Sequence, residues 1–164
     1  MTEKTCFVIG PIGPEISEIH RHADWLLEGI ITPVVTDFGF LAVRADKITT
    51  PGMIDSQVIN NVIDANLVIA DLSFWNANAF YELALRHMAE KAVIHMIDRS
   101  NQDIPFDVKP YRTILFGWAS YKELEQSKED LKAQIRTVLE ESHTVDNPVI
   151  RAREAYPVVP GSPI

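Results

Sequence analysis

Cysteine is almost missing from this chain of 164 residues: Cys6 stands alone, which excludes a disulfide framework and a cysteine-based zinc site. Basic residues are also scarce. Fifteen Lys and Arg face 23 Asp and Glu, a formal charge of −8. A chain this acidic is a poor non-specific binder of phosphate backbones, so no nucleic-acid partner is expected. No apolar run approaches the ~18 residues of a membrane span, and no signal-peptide cleavage pattern follows Met1. The expectation is a cytoplasmic protein with a reduced thiol and no membrane contact. Repeats and low-complexity blocks are absent too. Gly10-Pro11-Ile12-Gly13 lacks the Gly-Lys-Ser/Thr of a Walker loop and the glycine spacing of a dinucleotide fingerprint. The five histidines show no metal-ligand spacing, so no metal is expected. What is present, 46% hydrophobic and 23% charged residues, is the composition of one globular domain.

Short apolar runs alternate with amphipathic stretches. TCFVI at 5–9, FLAVRA at 40–45, LVIADL at 67–72, AVIHMI at 92–97 and TILF at 113–116 read as buried strands. Ile16, Ile19, Ala23, Leu26, Leu27, Ile30 and Val34 keep helical spacing, with Ser17 as a cap near the start. Further helices are predicted from Ile54 to Ile63, over 79–89 with Asn76 or Asn78 as cap, and over 122–142. After His143, four prolines (Pro148, Pro157, Pro160, Pro163) predict an extended tail at 144–164, leaving 1–143 as the domain. Strands alternating with helices call for a parallel sheet covered on both faces. Right-handed crossovers favour a flavodoxin-like three-layer α/β sandwich with five strands in the order 2-1-3-4-5. Ligands then bind beyond the strand ends at the switch point between strands one and three. That places the loops at 10–17 and 71–78 at the site, with Arg44 and Asp46 beside them.

The residues in those loops suit a small ligand. Gly10 and Gly13, with Pro11 and Ile12, let a ligand approach backbone amides near a helix start, or simply make a tight turn. Asp71 ends an otherwise apolar strand, with Ser73 just after it. Asn78, Glu82 and Arg86 are spaced four apart and share a helix face. Glu82 falls near the first turn, where the helix dipole favours its ionised form. An ionised carboxylate at a pocket floor can act as nucleophile or stabilise a glycosyl cation, as cleavage of an N-glycosidic bond requires. A surface ion pair with Arg86 is the plainer alternative. Phe74, Trp75, Phe80 and Tyr81 offer planar surfaces to a base. His95 reads as a core histidine, and His20 and His22, two apart, share no helix face.

FVIGPI at 7–12, Arg44-Ala45-Asp46, IADLS at 69–73, NANAFYELA at 76–84 and PFD at 105–107 resemble the bacterial TIR-like and nucleoside 2-deoxyribosyltransferase-like proteins, over residues 5–118. The resemblance implies a flavodoxin-like sheet and a helix-borne glutamate, Glu82, that cleaves an N-glycosidic bond, with Asp71 as a second acid. Gly10, Gly13 and Arg44 would line the phosphate or ribose side, with Asp46 beside Arg44, and Asn78 would orient the ligand; Pro11, Ile12, Ser73, Asn76, Tyr81 and Arg86 complete the candidate set. The substrate implied is a small-molecule nucleotide or nucleoside, or NAD consumed as substrate, with no cofactor, in a homo-oligomer. The alternative is a non-catalytic module of bacterial defence that binds a nucleotide signal or self-assembles.

Overall fold

The computed structural model describes residues 3–48, 52, 54–100 and 103–155. Five strands, β1 (Lys4–Ile9), β2 (Phe40–Arg44), β3 (Leu67–Asp71), β4 (Ile94–Asp98) and β5 (Thr113–Phe116), lie parallel in the order β2-β1-β3-β4-β5. This is the flavodoxin-like α/β sandwich that the alternation of runs predicts. Helices α1 (Glu18–Leu26), α2 (Thr32–Asp37) and α5 (Tyr121–Leu139) cover one face; α3 (Ile54–Asp64) and α4 (Ala77–Met88) cover the other.

The two-residue period of a strand sorts the side chains between those faces. Leu67 and Ile69 of β3 pack with Cys6, Val8, Ile30 and Ile135 on the α1/α5 face. Val68 and Ala70 pack with Phe7, Ile9, Val62 and Leu83 on the α3/α4 face. β3 is buried at every position, as a central strand with two covered faces must be. Truncating a side chain such as Leu83 here would cost about 2–5 kcal/mol. Burial also pushes the Cys6 thiol up to about 12, leaving it un-ionised at neutral pH.

Two segments differ from the sequence expectation. The first helix is broken into α1 and α2 by a π-helical turn at Leu27–Ile31. Pro33 has no N–H for the carbonyl of Gly29, and the wider turn absorbs that missing bond. The 144–164 segment is not all extended: α6 spans Pro148–Ala155, and 156–164 fall outside the described residues. Pro148 starts this helix instead of preventing one. Asn147 caps it, accepting from the amide of Ile150 at 2.9 Å, and anchors it by donating to the carbonyl of His87 at 3.2 Å.

Candidate functional site

β1 and β3 run side by side to their ends, with Ile9 opposite Ala70. The chain leaves β1 at Gly10, where an added Cβ would stand 3.0 Å from the Cβ of Asp71, so glycine allows the close pass. Pro11 is buried next to it and Ile12 is half-buried. Gly13 is exposed and takes a positive φ of 66°, which a side chain would strain. Asp71 continues the Leu67–Ile69 register and therefore faces α1. It is 2% exposed. Its Oδ1 accepts from the amide of Ser73 at 3.0 Å, and its Oδ2 lies 2.9 Å from Nε2 of His22. The other ring nitrogen of His22 lies 3.5 Å from Oδ2 of Asp98, at the end of β4. Phe74, Trp118 and Phe116 surround the imidazole at centroid distances of 4.8, 5.3 and 5.7 Å.

His22 and Asp98 were not among the expected site residues. His22 sits one position before Ala23 on the apolar stripe of α1, and a polar residue on such a stripe is the signal that would have found it. Ser73 is fully buried, and its hydroxyl accepts from the amide of Asp98 at 2.8 Å. Phe74 and Trp75 both adopt left-handed φ, 62° and 49°, although neither is glycine. Their rings remain about half exposed. Trp75 is tied down by Nε1 donating to the carbonyl of Asp103 at 2.9 Å. Strain of about 1–3 kcal/mol per such residue persists only where the surroundings over-determine it, often beside ligand sites.

Glu82 lies on the opposite face. Ala79, Leu83, Arg86 and His87 are the buried residues of α4, and Glu82 is half-buried at the flank of that stripe. It sits in the second turn, past the reach of the helix N-terminus. Its carboxylate has no hydrogen-bond or ion-pair partner among the described residues. Burial pushes its pKa up to about 7. The helix dipole expected to favour its ionised form does not act on it there, and desolvation sets the direction of the shift. Such a group is suited to acid–base or nucleophilic work.

Arg86 does not pair with Glu82 and does not reach the strand ends. It is 1% exposed; Nε donates to the carbonyl of Ala92 and Nη1 to those of Val62, Ile63 and Ala65. It satisfies the end of α3, whose last carbonyls lack helical partners. Burial lowers its pKa to about 10, still protonated at neutral pH. Asn76 is the N-cap of α4, accepting from the amide of Ala79 at 3.1 Å. Asn78 and Tyr81 are exposed on the outer side of the same helix.

At the end of β2, Arg44 is buried and bracketed by carboxylates. Nε and Nη2 donate to Asp46 at 2.6 and 2.7 Å, and Nη2 donates to Asp24 at 2.7 Å. Burial opposes the charge of Arg44, but these bonds outweigh it and raise its pKa; they hold Asp46 below the usual carboxylate range. Asp71 thus lies with Gly10 and the unexpected His22, Arg44 with Asp46 and the unexpected Asp24, and Glu82 across the sheet.

A cavity of about 710 Å³ runs along the free edge of β5, between α5 and residues 143–147. None of the expected site residues lines it. Two of its charged groups are already engaged, Asp146 with Arg151 and Lys91 with the carbonyl of Ile63. Among the described residues, no group of three or more His, Cys, Asp or Glu side chains is placed to hold a metal ion. No helix is long and apolar enough to cross a membrane, again among the described residues.

No protein-family model matches the chain. No curated protein matches it either. Among solved structures it is similar to a 2-desoxiribosyltransferase from Leishmania mexicana, with a TM-score of 0.45 and 16% sequence identity, over 66% of this chain and 71% of that one. A likeness at that level transfers no residue role.

Proposed function

We propose that this protein breaks an N-glycosidic bond in a nucleoside, a nucleotide or NAD, with Glu82 as the reacting carboxylate. The observation that carries the reading is the unpartnered, half-buried Glu82, whose pKa is pushed up to about 7. A half-buried carboxyl group left without a partner at the flank of a helix costs stability when ionised, and a reacting group is one reason to keep it. In the reaction, the C1′–N bond breaks and its electron pair leaves with the base: a purine or pyrimidine leaving as an anion takes up a proton from water, whereas the cationic nicotinamide of NAD leaves neutral without one. The ionised Glu82 bonds C1′ or stabilises its positive charge. Water or the nitrogen of a second base then takes C1′ and frees the carboxylate. Because the step needs the ionised form, kcat/KM should rise with pH and level off above about pH 7.

A module that binds such a ligand without turnover is the second reading, and Asp71 favours it. Both its oxygens are engaged inside the protein and it faces away from Glu82. One assay separates the two. The protein and its Glu82→Gln variant are incubated at pH 8 with NAD, nucleosides and nucleotides, and free base is measured by chromatography. Release by the parent protein and none by the variant is the expected result. Ligand binding with no release at high enzyme concentration overturns the catalytic reading.

A further inference from the structure

We propose that His87 and His95 form a site for a divalent metal ion, with zinc the ion that their spacing fits. The site stands apart from the N-glycosidic reading and survives its failure.

The fold brings together two histidines that are eight residues apart in the chain. His87 lies in the last turn of α4, on its buried stripe. His95 lies in β4 between Ile94 and Met96, which pack toward α1 and α5, so its own ring points to the α4 side. The two residues are 4% and 5% exposed, and their Nε2 atoms stand 3.4 Å apart. That is long for a hydrogen bond from a ring nitrogen, which prefers about 2.7–3.2 Å. A shared zinc accounts for the distance directly. Two nitrogens each about 2.0–2.1 Å from one zinc, at the tetrahedral angle, stand about 3.3–3.4 Å apart. Neighbouring corners of a square plane would bring them to about 2.9 Å, so the spacing favours zinc over square-planar copper or nickel.

The surroundings suit a cation. Burial lowers both pKa values to about 4, so both rings are neutral at neutral pH and can offer a lone pair. With Nε2 on the metal, each ring keeps its proton on Nδ1. The last turn of α4 is the negative end of its dipole. Arg86 and Lys91, which flank His87, are turned to carbonyls at the end of α3. No third His, Cys, Asp or Glu is placed with the pair among the described residues. The other two positions of the tetrahedron therefore fall to water. His95 lines the cavity of about 710 Å³ beside β5, which gives the ion and its water a way in.

The test is calorimetric titration of the full chain with ZnCl2 at pH 7.5, after EDTA treatment and dialysis. Two protein ligands of the usual four supply about half the binding free energy of a closed zinc site, so one equivalent should bind with a Kd of roughly 1–200 µM. His87→Gln and His95→Gln should each weaken binding by about 10-fold or more, as each removes one of two ligands. Millimolar Mg2+, which takes oxygen ligands, should not compete. His20→Gln, at the exposed pair with Asp24, is the control and should leave the affinity unchanged. The parent protein also gives a reading that needs no variant to fold: one equivalent of Co2+ should show the intense visible bands of a tetrahedral site. A faint octahedral cobalt spectrum overturns the proposal. So does zinc binding no tighter than about 1 mM, or an affinity that follows His20 and is unmoved by His87→Gln and His95→Gln.

Discussion

Replacing Glu82 by glutamine should make the protein more stable above neutral pH and leave it unchanged in acid. The unfolded chain releases this proton near the ordinary value of 4.5, whereas the folded chain holds it until about pH 7. Between those values the folded state binds more protons, so stability falls as pH rises, and the loss is complete above the folded pKa. Glutamine has nearly the same shape and never ionises, so it escapes that loss. At 1.36 kcal/mol per pH unit, the full shift would amount to about 3.4 kcal/mol. The side chain is only half-buried, and screening by water reduces the effect to about 1–1.5 kcal/mol. For a chain of this length each kcal/mol moves Tm by about 2–4 °C, so the variant should melt about 2–6 °C higher at pH 8.5. The assay is the melting curve of both proteins by circular dichroism from pH 4 to 8.5, read as the difference between them. Every other titrating group cancels in that difference. A pH-independent difference, or a variant less stable at pH 8.5, refutes the claim that Glu82 is held unpaired against its own ionisation.

The histidine pair should act in the opposite direction. His87 and His95 lie with their Nε2 atoms 3.4 Å apart, and burial lowers both pKa values to about 4. Their contribution is complete above the unfolded value of 6.5 and is lost as pH falls toward 4. Acid melting curves of a His87→Gln/His95→Gln variant should therefore fall less steeply between pH 6.5 and 4 than those of the parent; equal slopes would count against a neutral pair. Arg86→Met strips three carbonyls at the end of α3 and one at Ala92 of a charged donor. It should cost about 2–4 kcal/mol in urea unfolding without moving KM. A loss below about 1 kcal/mol, or a change confined to KM, would return Arg86 to the ligand site.

Fold and site were legible to different depths. The strand order follows from runs such as LVIADL, because a strand buried on both faces has to be apolar throughout. α6 was not legible as read: Pro148 counts as a breaker inside a helix but as a starter at its first position, and only the capping Asn147 before it distinguishes the two. Glu82 is singled out by its motif, and its protonation is argued from the first turn of a helix in which it occupies the second. The partner of Asp71 was within reach of the same arithmetic. Leu67, Ile69 and Asp71 share one parity, so Asp71 had to face α1, while the Ala79–Leu83 stripe had to face away from it. The resemblance implies Asp71 as a second acid to Glu82, and strand parity sets the two on opposite faces of the sheet. A single ligand touching both must pass over the C-terminal edge of the sheet, where β1 hands over to Gly10. That is where an added Cβ would meet Asp71 at 3.0 Å, which makes the lack of a side chain at Gly10 a condition of the loop's close approach to β3.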